Sequence, residues 1–382
     1  MAVSDSLNFV RGQGIESQPP PRLVSGPLAW IRNNLLSSPL NITLTLLGVF
    51  LVYVVAPPLL NFLVLDAVWT GANRDVCRPE VVGRPVGACW AFVWDKINYF
   101  IYGSYPIAER WRVDAFFLAL AVGVAWLLWL RAPRRDLGAI YFFVIFPILA
   151  YLLLAGSDFL GIDEVPTALW GGILVSLLVA TVGIVVSLPF GILLALGRRS
   201  KLPIVRLISV IYIEFVRGVP LITVLIMANT MLPLFLPGGV TVDRLLRPLV
   251  GVALFASAYM AEVIRGGLQA MPKGQYEGAM SLGLGYWKMM AFIILPQALR
   301  IVIPGIVNTF IGLFKDTTLV AIIGIFDFVK TIEASRVDPN WAAPTVNTTG
   351  YAFAAIFYFI ACFGMSRYSM AIERRLAAGQ KR

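Results

Sequence analysis

Long apolar stretches with almost no charged residues are the feature that most constrains this chain. Eight such windows follow one another along the sequence. Crossing a bilayer takes about 20 mostly apolar residues per helix, and only helices or closed barrels can satisfy every backbone polar group there. The windows do not alternate apolar and polar residues with period two, so they indicate helices and not barrel strands.

The windows predict a series of membrane spans. They are Leu40–Leu65, Ala115–Leu130, Leu137–Ser157, Trp170–Gly197, Gly218–Val242, Pro248–Leu268, Met289–Phe314 and Pro339–Ser366. The fifth helix is expected to begin before its window, near Arg206, and the last one near Gly350. We therefore expect an all-α integral membrane protein of about eight transmembrane helices, in which a three-helix extension precedes a five-helix core.

These spans divide the chain into segments. We expect a polar, flexible N-terminal tail (1–38) and a three-helix extension (39–157) with a large outer loop (66–112). A transmembrane core (158–376) with a polar loop (269–290) and a short C-terminal tail (377–382) would follow. The first apolar run begins only near Leu40, which is too late for a cleaved leader peptide.

The distribution of lysine and arginine predicts that both termini are cytoplasmic. In that orientation the cytoplasmic segments carry more than half of the 31 basic residues, and the short outside loops 158–168 and 237–247 hold only Arg244 and Arg247. Loops that set the topology therefore explain the net charge of +10, and we expect no nucleic-acid partner. The polar loop 269–290 falls on the cytoplasmic side.

Several kinds of chemistry are not expected. The chain has no histidine and no phosphate-binding loop of the form G-x-x-x-x-G-K-[ST]. We predict no catalytic residue, no metal site and no cofactor in this chain. Any ATP hydrolysis must then come from another polypeptide.

The polar loop has its own pattern. Pro272 suits the first turn of a helix, so we predict a short helix over 272–282, a sharp turn at Gly283 and a second helix from about Tyr286. Apolar residues in this loop, such as Met280 and Leu282, need a partner surface. An ordinary amphipathic connector is the alternative.

The spacing of Glu277, Ala279 and Gly283, followed by Ile293-Ile294-Leu295-Pro296, resembles the EAA loop of ABC-importer permeases, which docks on the ATPase. Further segments resemble the polar amino-acid branch of that family: Ile213–Leu221, Tyr259–Gly267, Met271–Gln275 and Phe314–Leu319. The resemblance covers roughly residues 168–376. The chain departs from the family at Gly278, where alanine is usual, and glycine softens a helix by roughly 1 kcal/mol.

The resemblance implies a permease subunit of an ATP-driven importer in a bacterial inner membrane. The substrates would be polar or general L-amino acids, since the extension with its large outer loop resembles one subunit of the general L-amino-acid permeases. Implied ATPase-coupling residues are Glu277, Gly278, Ala279, Gly283, Leu295 and Pro296. An ion-gradient-driven secondary transporter and a non-transporting scaffold are the alternatives, but the first leaves the EAA-like spacing unexplained.

The implied partners form a larger complex. A second, homologous permease subunit would complete the membrane part, with a heterodimer favoured over a homodimer. Two cytoplasmic ATPase subunits would bind ATP and Mg, and a periplasmic amino-acid-binding protein would deliver the substrate. The lipid bilayer surrounds the spans.

Polar and charged residues inside spans are costly and usually face a bundle interior or a cavity. The substrate-path candidates are Glu214, Arg217, Asn229, Glu262, Asn308, Thr309, Lys315, Asp316, Thr317 and Thr318. Glu214 and Arg217 are spaced i, i+3 on one helix face, as are Glu262 and Arg265, and these charged pairs could instead anchor helices. The asparagines and Thr309 could bond helix to helix, and residues 315–318 could end a helix or mark a broken one.

Two cysteines lie in the predicted outer loop. Cys77 and Cys89 would suit a disulfide in an oxidising periplasm, which we favour over two unpaired thiols. Cys362 lies in the last span and is expected to be a small packed apolar residue.

Overall fold

The computed structural model describes residues 26–129, 131–157, 161–235, 237 and 242–380, with side chains up to residue 376. This part of the chain is helical and contains no β-strand, only isolated bridges. It divides into two units, Met1–Ala67 and Val68–Arg382. The prediction of an all-α membrane protein is confirmed.

The α-helices are α1 (Pro27–Asn34), α2 (Pro39–Leu60), α3 (Pro79–Val82), α4 (Trp90–Tyr102), α5 (Arg110–Leu128), α6 (Arg135–Ile140), α7 (Phe146–Ala155), α8 (Gly172–Arg198), α9 (Pro203–Gly218), α10 (Leu221–Thr230), α11 (Leu246–Ala270), α12 (Lys273–Ser281), α13 (Tyr286–Met289), α14 (Leu295–Ile301), α15 (Ile303–Asp316), α16 (Phe328–Ser335) and α17 (Val346–Gln380). The 3₁₀ helices are Arg74–Cys77, Ile107–Glu109, Thr167–Leu169, Leu232–Phe235 and Thr317–Ile323. The π-helical turns are Asn61–Leu65, Tyr141–Ile145 and Met290–Ile294.

Among the described residues, seven helices are long and apolar enough to cross a membrane, and a bent pair raises the number to eight. The seven are Pro39–Leu65, Ile107–Leu128, Arg135–Ala155, Gly172–Arg198, Leu246–Ala270, Ile303–Ile323 and Val346–Leu376. This agrees with the predicted number of about eight. Two of the predicted spans, however, have the wrong shape or bounds.

The fifth span is broken. A single helix over Gly218–Val242 with a start near Arg206 was expected, but α9 and α10 meet at a bend of 103°. Pro220 has no N–H to donate and disfavours helical geometry in the preceding residue, so Val219 is extended at φ −110° and ψ 136°. An uncharged window does not reveal such a break.

The seventh span is displaced. Met289–Phe314 was expected, but α14 ends at Ile301, Val302 leaves helical geometry at φ −101° and ψ 10°, and the membrane-length helix runs from Ile303 to Ile323. Pro304 lies in the first turn of α15, where its missing N–H costs nothing, and it favours a new helix start there.

The first unit consists of α1, α2 and a π-helical turn, with residues 1–25 of the expected tail outside the described residues. Helix α1 lies in the segment that was expected to be a flexible tail. The side chain of Ser38 caps α2 by accepting from the backbone N–H of Asn41 at 3.2 Å, and Pro39 occupies its first turn.

The second unit is built around α8 and α11, whose apolar windows are half buried. Small residues allow this close packing: a Cβ on Gly191 would lie 2.8 Å from the Cβ of Met260. Helices α5 and α7 of the extension join the same core through Phe116, Phe146 and Leu154, which are all buried.

The segment expected to be a large outer loop, 66–112, contains α4. This helix buries Trp90, Phe92 and Phe100 against α8, α16 and α17. A disulfide joins Cys77 and Cys89, whose Cα atoms are 5.7 Å apart. We call this end of the unit the α4–α16 end and the opposite one, which carries α12, the α12 end.

Candidate functional site

The polar loop forms the helix–turn–helix that its sequence indicates. Helix α12 follows Pro272, which is the residue before the first turn, and Gly283 turns the chain at φ +70°, a left-handed conformation that favours glycine. Helix α13 begins at Tyr286. We call residues 269–290 the docking loop.

The docking loop turns one face inward and another outward. Ala279 is 2% exposed and packs with Met290 and Ile294, so a small side chain suits this position. Met280 and Leu282 are 57% and 74% exposed. An exposed apolar surface on a loop outside the spans indicates a docking site for another protein.

The remaining implied coupling residues lie on or beside this surface. Glu277 and Gly278 are exposed on α12, and the side chain of Glu277 makes no hydrogen bond or ion pair with the described residues. Leu295 is half-buried against the docking loop's core, and Pro296 is exposed. The proline ring crowds the carbonyl four residues before it, which explains the π-helical turn Met290–Ile294 that precedes it.

Two polar contacts hold the docking loop to the bundle. The guanidinium of Arg199 donates to the carbonyl oxygen of Leu268 at 2.7 Å and to the hydroxyl of Tyr276 at 3.2 Å. The side-chain amide of Gln297 donates to Gln275 at 3.0 Å. Helix α12 is therefore tied both to the α8–α9 turn and to α14.

A cluster of charges lies between α8, α9 and α11, with Glu262 at its centre. The Glu262 carboxylate, 14% exposed, lies 2.8 Å from Arg198, 2.8 Å from Arg265 and 3.6 Å from Arg217. Glu214 pairs with Arg198 at 2.8 Å. Of the two pairs expected at i, i+3, the structure forms Glu262–Arg265, whereas Glu214 and Arg217 each pair with a different helix.

A cavity of about 640 Å³ opens at the break between α9 and α10. Four of the substrate-path candidates line it: Arg217, Asn308, Thr309 and Asp316. Its volume lies in the range of small-molecule sites. A cationic and an anionic side chain thus share one cavity with an amide and a hydroxyl.

Comparisons with known proteins agree with the resemblance seen in the sequence. Residues 187–378 match the family model described as binding-protein-dependent transport system inner membrane component. An inner membrane amino-acid ABC transporter permease protein of Escherichia coli K12, YhdY, is 50% identical over 93% of this chain and 95% of its own length. The chain belongs to this family of transport permeases.

Two further matches extend the comparison. A glutamate/glutamine/aspartate/asparagine transport system permease protein of Rhodobacter capsulatus, BztC, is 40% identical over 97% of this chain and 98% of its own length. The crystal structure of an amino acid ABC transporter with histidines covers 53% of this chain and 92% of that chain, with 29% identity and a TM-score of 0.46.

Family membership has direct consequences. The protein is a multi-pass inner-membrane permease of an ABC importer and not an enzyme, and ATP hydrolysis belongs to a separate subunit. It works together with ATPase and permease subunits. Within the described residues, no group of three or more Cys, Asp or Glu side chains could hold a metal ion.

The other path candidates of the permease lie away from the cavity lining. Asn229 is in the last turn of α10, where its backbone oxygen accepts from Arg247 at 3.0 Å. The hydroxyls of Thr317 and Thr318 donate to backbone carbonyls three residues earlier. Lys315 is exposed, and α15 gives way to a 3₁₀ helix after Asp316.

Sequence reasoning missed part of the cavity. Phe255 and Tyr259 line it one helical turn apart on α11, and Gly218 and Pro220 line it at the break. The guanidinium of Arg217 lies 5.6 Å from the centre of the Tyr259 ring. The spacing of four residues between Phe255 and Tyr259 could have indicated that both lie on one face of a helix. The approach of α9 to α11 could not be predicted from the sequence of either segment alone.

An ionisable group is buried at the α4–α16 end. Asp327 is fully buried and caps α16 by accepting from the backbone N–H groups of Val329 and Lys330 at 3.2 and 2.9 Å. Burial raises the pKa of its carboxyl to about 6, although the two hydrogen bonds oppose this. The group therefore titrates near the physiological range.

Proposed function

We propose that this permease imports polar amino acids and that the cavity at the α9–α10 break is part of their route. The observation that carries the proposal is the combination of Arg217 and Asp316 in one cavity of about 640 Å³. An α-amino acid is a zwitterion, so its carboxylate suits Arg217 and its ammonium group suits Asp316. The names of the two relatives, which are amino-acid permeases, support the same substrate class.

The rest of the cavity lining fits this substrate. Asn308 and Thr309 offer hydrogen-bonding groups beside the charged pair, while Phe255, Ala256 and Leu313 offer apolar surface for a side chain. Within the described residues Asp316 has no ion-pair partner. A carboxylate that is only partly exposed and makes no ion pair, although Lys315 precedes it in the chain, favours a cationic ligand group.

The docking loop is the proposed site of energy coupling. Two cytoplasmic ATPase subunits, which bind ATP and Mg, would contact Glu277, Gly278, Ala279, Gly283, Leu295 and Pro296 or the surface that they shape. The exposed Met280 and Leu282 support this assignment, since apolar side chains outside the spans need a partner.

The proposed complex contains a second, homologous permease subunit, with a heterodimer favoured over a homodimer. Both termini are cytoplasmic, and a periplasmic binding protein delivers amino acids to the α4–α16 end. ATP binding draws the ATPases together and moves the two docking loops, which opens the route outward; hydrolysis resets it. Nucleotide and loaded binding protein thus bias one two-state equilibrium from two sites.

The test is uptake kinetics in proteoliposomes that hold the whole complex. Asp316→Asn removes the charge that would hold the ammonium group, and we expect KM for amino-acid uptake to rise on the order of tenfold, with kcat changed less. Lys315→Gln is the matched control, because the neighbouring Lys315 does not line the cavity. An unchanged KM in Asp316→Asn, or an equal rise in both variants, would contradict the proposed site.

A further inference from the structure

Two adjacent arginines at the end of α8 point to different parts of the permease. Arg198 is the last residue of α8, and Arg199 follows it in the turn to α9. Arg198 pairs with Glu214 and Glu262 inside the charge cluster, whereas Arg199 binds Leu268 and Tyr276 beside the docking loop. The chain here connects a membrane site to a docking surface through one peptide bond.

Arg199 joins three elements at once. Its Nη1 atom donates a hydrogen bond of 2.7 Å to the carbonyl oxygen of Leu268. Leu268 is one of the last four residues of α11, whose carbonyl groups have no hydrogen-bond partner within the helix. The same nitrogen donates to the hydroxyl of Tyr276 on α12 at 3.2 Å, and the guanidinium carbon lies 5.8 Å from that ring's centre. A displacement of α12 therefore acts on the end of α8.

Arg198 and Arg217 share the carboxylate of Glu262. The guanidinium of Arg198 lies 2.8 Å from this carboxylate, and that of Arg217 lies 3.6 Å from it. Of these two arginines, Arg217 lines the cavity. Because Arg198, Arg217 and Arg265 all act on this carboxylate, loss of the contact with Arg198 removes part of the positive charge that neutralises Glu262 and so strengthens its attraction for Arg217. Tighter pairing with Glu262 withdraws the Arg217 guanidinium from an anionic group in the cavity.

We propose that Arg198 and Arg199 form a link through which the position of the docking loop controls whether Arg217 is available to substrate. In this scheme Arg199 is a positioning residue: it senses α12 through Tyr276 and holds Arg198 on Glu262. The inference rests on the proposed function, since it takes the cavity as the amino-acid route. It assigns to the α8–α9 turn a role in coupling, in addition to the docking loop itself.

The experiment compares Arg199→Ala with wild type in the assembled complex in proteoliposomes. The readouts are basal ATP hydrolysis, its stimulation by amino-acid-loaded binding protein, and the ATP hydrolysed per amino acid taken up. We expect the complex to remain assembled with its basal hydrolysis, and the ATP cost per transported amino acid to rise on the order of tenfold.

Three further variants separate coupling from simple packing. Arg206→Ala is the matched control: Arg206 is an exposed arginine of α9 whose side chain makes no hydrogen bond or ion pair within the described residues. Arg199→Lys keeps a cation that can donate to Leu268 and should restore most of the coupling. Tyr276→Phe removes only the hydroxyl, and combined with Arg199→Ala it should add little, because both changes cut the same link.

Each outcome decides the matter. Normal coupling in Arg199→Ala, or the same loss in Arg206→Ala, overturns the link while leaving the proposed function intact. Loss of the ATPase subunits from Arg199→Ala, with no coupling defect in Tyr276→Phe, makes Arg199 a packing residue only and also overturns it. Wild-type complex that takes up no amino acid in the presence of ATP and binding protein instead overturns the proposed function.

Discussion

At the scale of single residues, the carboxylates inside the bundle differ in how they are stabilised. Glu262 is shared by arginines on three helices, and Asp327 closes the first turn of α16. Asp316 is different, because it borders the cavity with no ion-pair partner in the described part of the chain. That contrast is the reason we propose Asp316 as a substrate-binding group.

Asp327 gives a pH-dependent prediction. Its folded-state pKa, about 6, lies above the ordinary value for aspartate, so the folded protein holds this proton more tightly than the unfolded chain. Stability from this group is therefore present at low pH and is lost as pH rises from about 4 to about 6. Asp327→Asn should remove this dependence, which amounts to at most about 3 kcal/mol.

The measurement is the apparent Tm of the purified permease at pH 5 and pH 7.5. Wild type should lose more stability between the two values than Asp327→Asn, whose amide oxygen can still cap α16. Equal pH dependence in the two proteins would mean that Asp327 keeps its usual acidity despite its burial.

Local signals made some residues predictable and left others hidden. Glu262 and Arg265 are one helical turn apart, so their pairing could be expected from spacing. Arg198 lies 64 residues from Glu262, and nothing near either residue announces the contact. Four cavity residues were identified because polar groups in spans are rare, but their assembly depended on how helices pack.

At the scale of elements, the docking loop was the most predictable part of the molecule. Its structure depends on nearby residues: Pro272 precedes the helix, and Gly283 forms the turn only a few residues later. No contact with distant residues was needed to predict it. The apolar windows gave wrong bounds for the fifth and seventh spans, because such windows report length and not continuity. Pro220 and Pro304 indicated where the helices are interrupted, because proline bends or breaks a helix.

Two adjacent glycines of α11 make a prediction about helix packing. A Cβ on Gly267 would lie 2.6 Å from the carbonyl oxygen of Ala298 in α14, whereas one on Gly266 would meet nothing within 4 Å. Gly267→Ala should therefore destabilise the permease by about 1–3 kcal/mol. Gly266→Ala should leave stability unchanged or raise it by up to about 1 kcal/mol, since alanine is the better helix former.

Thermal unfolding of both variants in one detergent checks this pair. A Tm for Gly267→Ala that equals that of Gly266→Ala would mean that α11 and α14 do not approach as closely as the structure has them.

At the scale of the whole molecule, residues 68–102 are built into the second unit. The indole N–H of Trp341 donates to Asp95 at 2.8 Å, and the ammonium group of Lys96 lies 2.6 Å from Asp338. Burial lowers the pKa of Lys96, but hydrogen bonds to Asp338 and Asp95 outweigh it and leave that pKa raised. These contacts join α4 to the segment between α16 and α17.

The disulfide provides a test of how much the segment 68–102 contributes to stability. Replacing Cys77 and Cys89 together by serine should lower stability by about 2–4 kcal/mol, because the cross-link restricts the unfolded chain. Reductant should lower the Tm of wild type and not that of the double variant. Cys362→Ser is the control, since Cys362 is a free thiol; equal sensitivity to reductant in wild type and the double variant would contradict the assignment.

The most direct test of the central claim is ATP-dependent uptake of radiolabelled amino acids by proteoliposomes that hold the complete complex. Wild type is compared with Gly283→Asp and Gly283→Asn, which both tolerate the left-handed turn but differ in charge. We predict uptake by wild type and Gly283→Asn, and loss of uptake and of bound ATPase in a folded Gly283→Asp permease, because docking would desolvate an unpaired carboxylate. Undiminished uptake by Gly283→Asp with its ATPase still bound would show that this loop is not the coupling element.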